Sequence, residues 1–326
     1  MVGLRLQPAC FIFCTHACLH AVDDRSIASP WPAQPRQAHL FSMPAASAIP
    51  LEDELGDVLD KAMRCAGLNE EQVAERTGVS VEKIRNAEDY RYDELTDDEL
   101  RRLAAALHLN EVGLAALARD RYPRPTVTGL PFCVHPMHLP FGVGVVNAYA
   151  VVDCATGVGV LFDGGTGFEA LQQVWPRAVT RIEAVFLTHP EAEHIGGIPG
   201  ALERHGLATF YGPRCGPTGP ACWPLGEGET VVVAGYQVTA FSTPGHCAEH
   251  NCYLVRPKGV PQARALLISG DLIFAGSLGG GYFSCSQLLS HARRIIGALP
   301  VSTVIAPGHG PMTTVENERK YNPFLG

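Results

Sequence analysis

The sequence predicts an α+β protein, a small all-α module followed by a larger layered domain of strands and helices. Three observations lead there. Apolar residues recur at helical spacing through residues 51–121. From about residue 127 the pattern turns to short, apolar, β-branched runs with helical stretches between them. Four of those runs end in a glycine-flanked histidine or carboxylate. With 326 residues, 46% of them hydrophobic and 18% charged, the chain can bury a sizeable core, and general disorder is excluded. It contains no run of about 18 consecutive apolar residues, so no membrane-spanning helix is expected.

Residues 1–50 read as a leader or linker. Pro30, Pro32, Pro35, Pro44 and Pro50 lie among Ala, Ser and Gln. Cys10, Cys14 and Cys18, with His16 and His20, are read as coincidental neighbours rather than a metal site. Met43 is the expected true start. The chain has eleven cysteines and no CxxC pair, which points away from a disulfide framework and towards a reducing cytoplasm.

Residues 51–121 follow as the helical module. Leu55, Val58, Leu59, Ala62 and Met63 share one helix face, and Gly67 closes that helix. A second helix runs from Glu70 to Arg76 and ends at Gly78. Ser80 then caps a third, and Thr96 caps another with Leu100, Leu103, Ala104 and Leu107 on one face. The phrase EEQVAERTGVSVEKIRNAE resembles the lambda-repressor-type helix-turn-helix. The module nevertheless holds 18 acidic and 10 basic side chains, the whole of the chain's excess of −8. Phosphate contact dominates affinity for DNA, so this balance argues against a nucleic-acid partner and for packing against a subunit or shielding an active site.

After a proline-bearing linker at 122–128, strands are expected at 145–152, 158–162, 182–187, 230–241, 252–255, 265–268 and 303–305, with helices at 168–175, 198–205 and 287–299. The chemistry gathers at strand ends. The run 182–187 leads into Thr188-His189-Pro190-Glu191-Ala192-Glu193-His194. Later runs lead into Gly245-His246, Gly270-Asp271 and Gly308-His309-Gly310. Four such ends in one domain point to a metal centre. His135 and His138 are expected in a polar loop, His250 beside the site, and Cys247 as a small filler.

These residues resemble the metallo-β-lactamase fold; the resemblance covers residues 130–326 of an expected catalytic domain at 127–326. The resemblance implies an αββα sandwich with two metal ions between its sheets. The family motif H-x-H-x-D-H reads His189-x-Glu191-x-Glu193-His194 here, while His246, Asp271 and His309 match without change. Asp163, in LFDGG, matches an acidic residue that supports a ligand. The phrases TPGHCAEHNCYLV, GDLIFAGSLG and APGHGPMTTVENERKYNPFL are similar to the short glyoxalase-II-like branch, the relatives of hydroxyacylglutathione hydrolase. That branch implies a small-molecule acyl substrate, cleavage of a thioester or ester by metal-activated water, and no membrane partner; a homo-oligomer is left open. Asp271 and Glu193 are the expected catalytic carboxylates. The implied ligand sets are His189, Glu191 and His246 for one ion, and Glu193, His194 and His309 for the other, with Asp271 bridging. Glu191, Glu193 and Asp271 would then bring a charge of −3, which suits iron or manganese as well as zinc. Glu191 is also similar to the H-x-E-x-D-H motif of flavodiiron oxygen reductases. The alternatives are therefore a non-haem iron redox enzyme, of persulfide dioxygenase or oxygen reductase type, and a non-catalytic regulator.

Overall fold

A computed structural model describes residues 49–89, 94–142, 144–207, 209–213 and 222–326. The leader, with its cysteine cluster and Met43, lies outside the described residues. Residues 48–326 form one compact unit. Among the described residues, no helix is long and apolar enough to cross a membrane.

Five helices come first: α1 (Leu55–Ala66), α2 (Glu70–Thr77), α3 (Val81–Glu88), α4 (Asp97–Leu107) and α5 (Glu111–Ala118). Their ends follow the expected chemistry. Gly67 (φ 64°) and Gly78 (φ 68°) close α1 and α2 in the left-handed region, where a Cβ is penalised. Ser80 and Thr96 accept from the backbone N–H of Lys83 and Glu99. α2 and α3 are joined by a three-residue turn.

Two six-stranded sheets follow. The first runs in spatial order β1 (Cys133–Phe141), β2 (Gly144–Val152), β3 (Val158–Phe162), β4 (Arg181–Phe186), β5 (Phe210–Gly212) and β6 (Trp223–Pro224). The second is ordered β12 (Thr313–Thr314), β11 (Val304–Pro307), β10 (Leu266–Gly270), β9 (Asn251–Pro257), β8 (Tyr236–Ser242) and β7 (Thr230–Val233). The first sheet's helices are α6 (Phe168–Gln173), the short α7 (Ala192–Ile195) and α8 (Ile198–His205); α9 (Cys285–Ala298) lies between β10 and β11 of the second, and α10 (Val315–Tyr321) follows β12.

The period-2 alternation of the strands sorts the core into layers. Phe162, Phe186, Tyr253, Leu266, Ile268 and Val304 are buried between the two sheets. The alternate residues Leu161, Val185 and Leu187 face a second cluster with Leu171 and Ile198 of α6 and α8. On the far side, Leu254, Leu267 and Ile305 join Leu288, Ile295 and Ile296 of α9 in a third. That third cluster continues without a break into Leu55, Leu59, Leu103 and Leu114 of the helical module. The architecture is αββα, with the module fused onto one helical layer.

Three expectations change. Residues 230–241 are two strands, because Ala234 (φ 49°) and Gly235 (φ 79°) form a tight turn between β7 and β8. His135 and His138 lie on β1 rather than in a loop; β1 is an edge strand, where Pro136 and Pro140 are tolerated. The cysteines also form bridges, Cys65–Cys285 and Cys133–Cys154, so the cysteine-based argument for a reducing compartment falls. Linear spacing hid the first pair because its partners lie 220 residues apart.

Candidate metal centre

Five of the predicted donors converge where the two sheets meet. His189 and His194 follow β4, His246 follows β8, Asp271 follows β10 and His309 follows β11. Asn147 of β2 clamps the sheets together here. Its N–H donates to Gly308 O (2.8 Å) and its side-chain amide to Pro307 O and Gly310 O (3.0 and 2.8 Å). One buried amide thus holds the turn that presents His309.

The four imidazoles share one polarity. Each Nδ1–H is directed at an oxygen: Thr188 Oγ1 for His189 (2.9 Å), Asp163 Oδ2 for His194 (3.1 Å), Gly280 O for His246 (2.9 Å) and Val145 O for His309 (3.0 Å). Thr188 Oγ1 can accept because its own proton goes to Asp163 Oδ2 (2.9 Å). Every Nε2 lone pair is therefore turned inward, as in metal-ligating histidines.

Asp271 sits at the centre. Its Oδ1 is 3.5 Å from His194 Nε2, and its Oδ2 is 3.7 Å from His246 Nε2 and 3.6 Å from His309 Nε2. Glu191 closes the other side, with Oε1 3.1 Å from His246 Nε2 and Oε2 4.0 Å from His189 Nε2. The Nε2 atoms of His189, His194 and His246, and Oδ1 of Asp271, are buried without a hydrogen-bond partner. Leaving four such atoms unsatisfied would be costly, and divalent cations are the groups that satisfy inward lone pairs and carboxylates together. The donors form two groups, His189–His194–Asp271 and His189–Glu191–His246, so the residues present fit bound metal.

Burial and the neighbouring charges shift several of these groups. Burial, then the neighbouring imidazoles, holds His189 well below the ordinary histidine value. Burial opposes charge on His194 as well, but the Asp163 carboxylate outweighs it and pushes the group up to about 9. Asp271 is lowered because His309, His194 and His246 outweigh its burial.

Glu193 lines the cavity above the site but joins neither donor group, so two carboxylates rather than three stand among the clustered donors. His250 is buried beside them; its Nε2 accepts from Asp271 N–H (3.1 Å) while its Nδ1 bonds Thr243 Oγ1 (2.8 Å). Cys247 is half-buried, with its thiol directed at Glu249 O (3.3 Å). Gly308 must lack a side chain, since a Cβ there would lie 2.1 Å from Asp271 Oδ1.

The cavity over the donors, of about 320 Å³, has walls from both parts of the chain: Glu52, Asp57 and Lys61 from the module, and Phe141, Phe274 and Tyr282 from the sandwich. Glu52 Oε1 comes within 3.7 Å of His309 Nδ1. Sequence reasoning missed this residue, because no local pattern marks a carboxylate that only tertiary packing brings to the site.

Residues 141–245 match the family described as Metallo-beta-lactamase superfamily. The crystal structure of the BLEG-1 B3 metallo-beta-lactamase aligns over 59% of this chain and 99% of its own, at TM-score 0.50 and 26% identity. The fold is that of the metallo-β-lactamase superfamily. Hydroxyacylglutathione hydrolase of Salmonella arizonae is 34% identical over 127 residues, which is 39% of this chain and 47% of that protein. The enzyme of the same name from Salmonella typhi is 33% identical over the same span. The chain thus spans about half the length of the curated relatives it matches.

Proposed function

We propose that residues 127–326 are a metal-dependent hydrolase domain that cleaves a thioester or ester of a small acyl substrate, with His189, Glu191, Glu193, His194, His246, Asp271 and His309 as ligands of two divalent ions. The observation that carries this reading is the set of four buried, unpartnered donor atoms around Asp271. Bound divalent ions supply a water of lowered pKa and polarise the substrate carbonyl. The chain's own residues do the rest. Asp271, fixed through its N–H by His250, offers Oδ1 to orient the attacking water. The hydrogen-bonded oxygens on each Nδ1 keep the imidazoles from turning. Glu193, on the cavity wall, completes the second donor set when drawn inward.

The similarity to proteins named hydroxyacylglutathione hydrolase supports a thioester substrate. Glu191 favours a second reading, an iron-dependent redox enzyme, since a carboxylate beside His246 hardens the site. Elemental analysis of the purified chain, with turnover of S-lactoylglutathione and simple thioesters, separates them. Hydrolysis abolished by chelation and restored by zinc or manganese supports the first. Hydrolysis that persists after chelation, or in His246→Ala, refutes it. For residues 51–121 we propose a role as a wall of this site rather than a DNA reader. The cations of α3 are already paired, Lys83 with Glu99 (2.9 Å) and Arg85 with Glu71 (2.7 Å).

A further inference from the structure

The segment between Asp271 and α9 carries the carbonyl that fixes one of the imidazoles, Gly280 O on His246 Nδ1. It lies tight against the central carboxylate's backbone, since a Cβ at Gly279 would sit 2.0 Å from Asp271 O. α1 of the helical module holds this segment at both ends. On one side, Lys61 Nζ donates to Leu278 O (2.7 Å) and pairs with buried Asp53, which also accepts from Ser277 Oγ. On the other, Cys65, one turn along α1, is bridged to Cys285, the first residue of α9. Gly280 thus lies between two anchors on a helix that belongs to the module, and the same segment is tied to the site by Phe283 N–H on Gly245 O and His246 O (3.2 and 3.1 Å) and Ser284 N–H on Gly245 O (2.9 Å). Both cysteines line a cavity of about 160 Å³ that also has Lys61, Arg64, Gly281 and Leu288 in its walls, and both are half-exposed.

We propose that the Cys65–Cys285 disulfide is a redox latch on the metal centre, holding His246 in its ligating position when closed and releasing it when a dithiol reductant opens it. The inference rests on the metal-centre reading and not on the hydrolytic one. The exchange balances: a reductant thiolate attacks one sulfur, a mixed disulfide forms, and the reductant's second thiol closes its own disulfide. Cys65 and Cys285 are left as thiols with two electrons and two protons gained. With the latch open, the 279–285 segment is held on the module side only by Lys61 and Asp53. The Gly280 carbonyl can then move, and His246 can turn about its side-chain torsions. A merely structural bridge would loosen both ions alike, whereas the latch acts on the His189–Glu191–His246 group.

The test uses the full chain, purified without reductant and loaded with zinc, whose two affinities are read by competition with a chromophoric chelator. The samples are the oxidised protein, the protein reduced with dithiothreitol and desalted anaerobically before loading, the reduced protein reoxidised, and the Cys65→Ser/Cys285→Ser variant. A Cys133→Ser/Cys154→Ser variant controls for the other bridge. The expected result is a loss of about 10-fold at one ion only, the low end for disturbed ligand-orienting contacts, in the reduced and Cys65/Cys285 samples. Reoxidation should restore it, and the control should match the oxidised protein. Equal affinities in all samples, or an equal fall at both ions, overturns the latch. If the serine variant does not fold, the reduction–reoxidation cycle decides alone. An oxidised protein that takes up no zinc overturns the metal reading and the latch together.

Discussion

Replacing Asp163 by Asn tests the tautomer argument with little change of shape. Asp163 is buried and adopts φ 57°, a left-handed conformation that Asn tolerates, so the backbone should not object. The carboxylate accepts three hydrogen bonds, from Thr188 N (2.8 Å), Thr188 Oγ1 (2.9 Å) and His194 Nδ1 (3.1 Å). Asn can keep one oxygen on Thr188 N, but its NH2 then faces the His194 Nδ1–H. Two donors cannot share that contact. His194 must move its proton to Nε2, the atom that faces Asp271, or rotate away. A charged hydrogen bond of this kind is worth about 1.5–3 kcal/mol. Loss of a carboxylate partner behind a ligating histidine costs about 10–100-fold in metal affinity, the same range of energy. Asp163→Asn should therefore weaken one ion by that factor, read by chelator competition. In the metal-free protein, NMR titration of His194 should fall from about 9, because burial would then be opposed only by the Asp271 and Glu193 carboxylates. Metal affinity within twofold of the parent, with His194 still titrating near 9, would show that Asp163 does not set the tautomer.

Other perturbations address neighbouring claims. Glu191→Ala should strip or weaken the ion at His189 and His246 and remove most activity, whereas Glu191→His should shift preference towards zinc, since imidazole suits that ion; metal per chain after loading with zinc, iron or manganese measures both. Gly308→Ala should lower metal affinity at least about 10-fold while the chain still folds, because the added methyl displaces Asp271 Oδ1; overpacking of this size costs about 1–3 kcal/mol, and a thermal melt with a metal titration checks it. Burial, then Glu70 and Asp60, pushes the Glu88 carboxyl up to about 7, so the folded chain holds that proton more tightly than the unfolded one. The stability it contributes is fully present below pH 4.5 and is lost as pH rises through 7. Glu88→Gln should flatten that decline and raise Tm at pH 8 by about 1 °C or less, solvent screening keeping the effect small; an unchanged pH profile would refute the assignment.

The local elements were legible because their causes are local. Helix ends at Gly67, Gly78, Ser80 and Thr96 follow from side-chain capping and left-handed glycine, which act within four residues. Strand β3 follows from its apolar run, and the clustered histidines from their place at strand ends beside glycine. The sequence by itself therefore determined the layered class, the switch of period near residue 127, and the identity of His189, His194, His246, Asp271 and His309 as a convergent set.

Tertiary structure alone decided the rest. Whether β1 pairs or loops depends on β2, since backbone groups in an edge strand are satisfied only by a neighbour. Where Glu193 stands relative to Glu191 depends on how far α7 turns the chain after Pro190, a matter of ångströms that residue type does not encode. The Cys65–Cys285 bridge, Glu52 at His309 and Lys61 at Leu278 join positions more than 200 residues apart. Such contacts arise from burying the apolar faces of α1 and α9 in one core. That burial is non-directional: it makes the docking favourable, but only the packed shapes fix which polar groups meet across it.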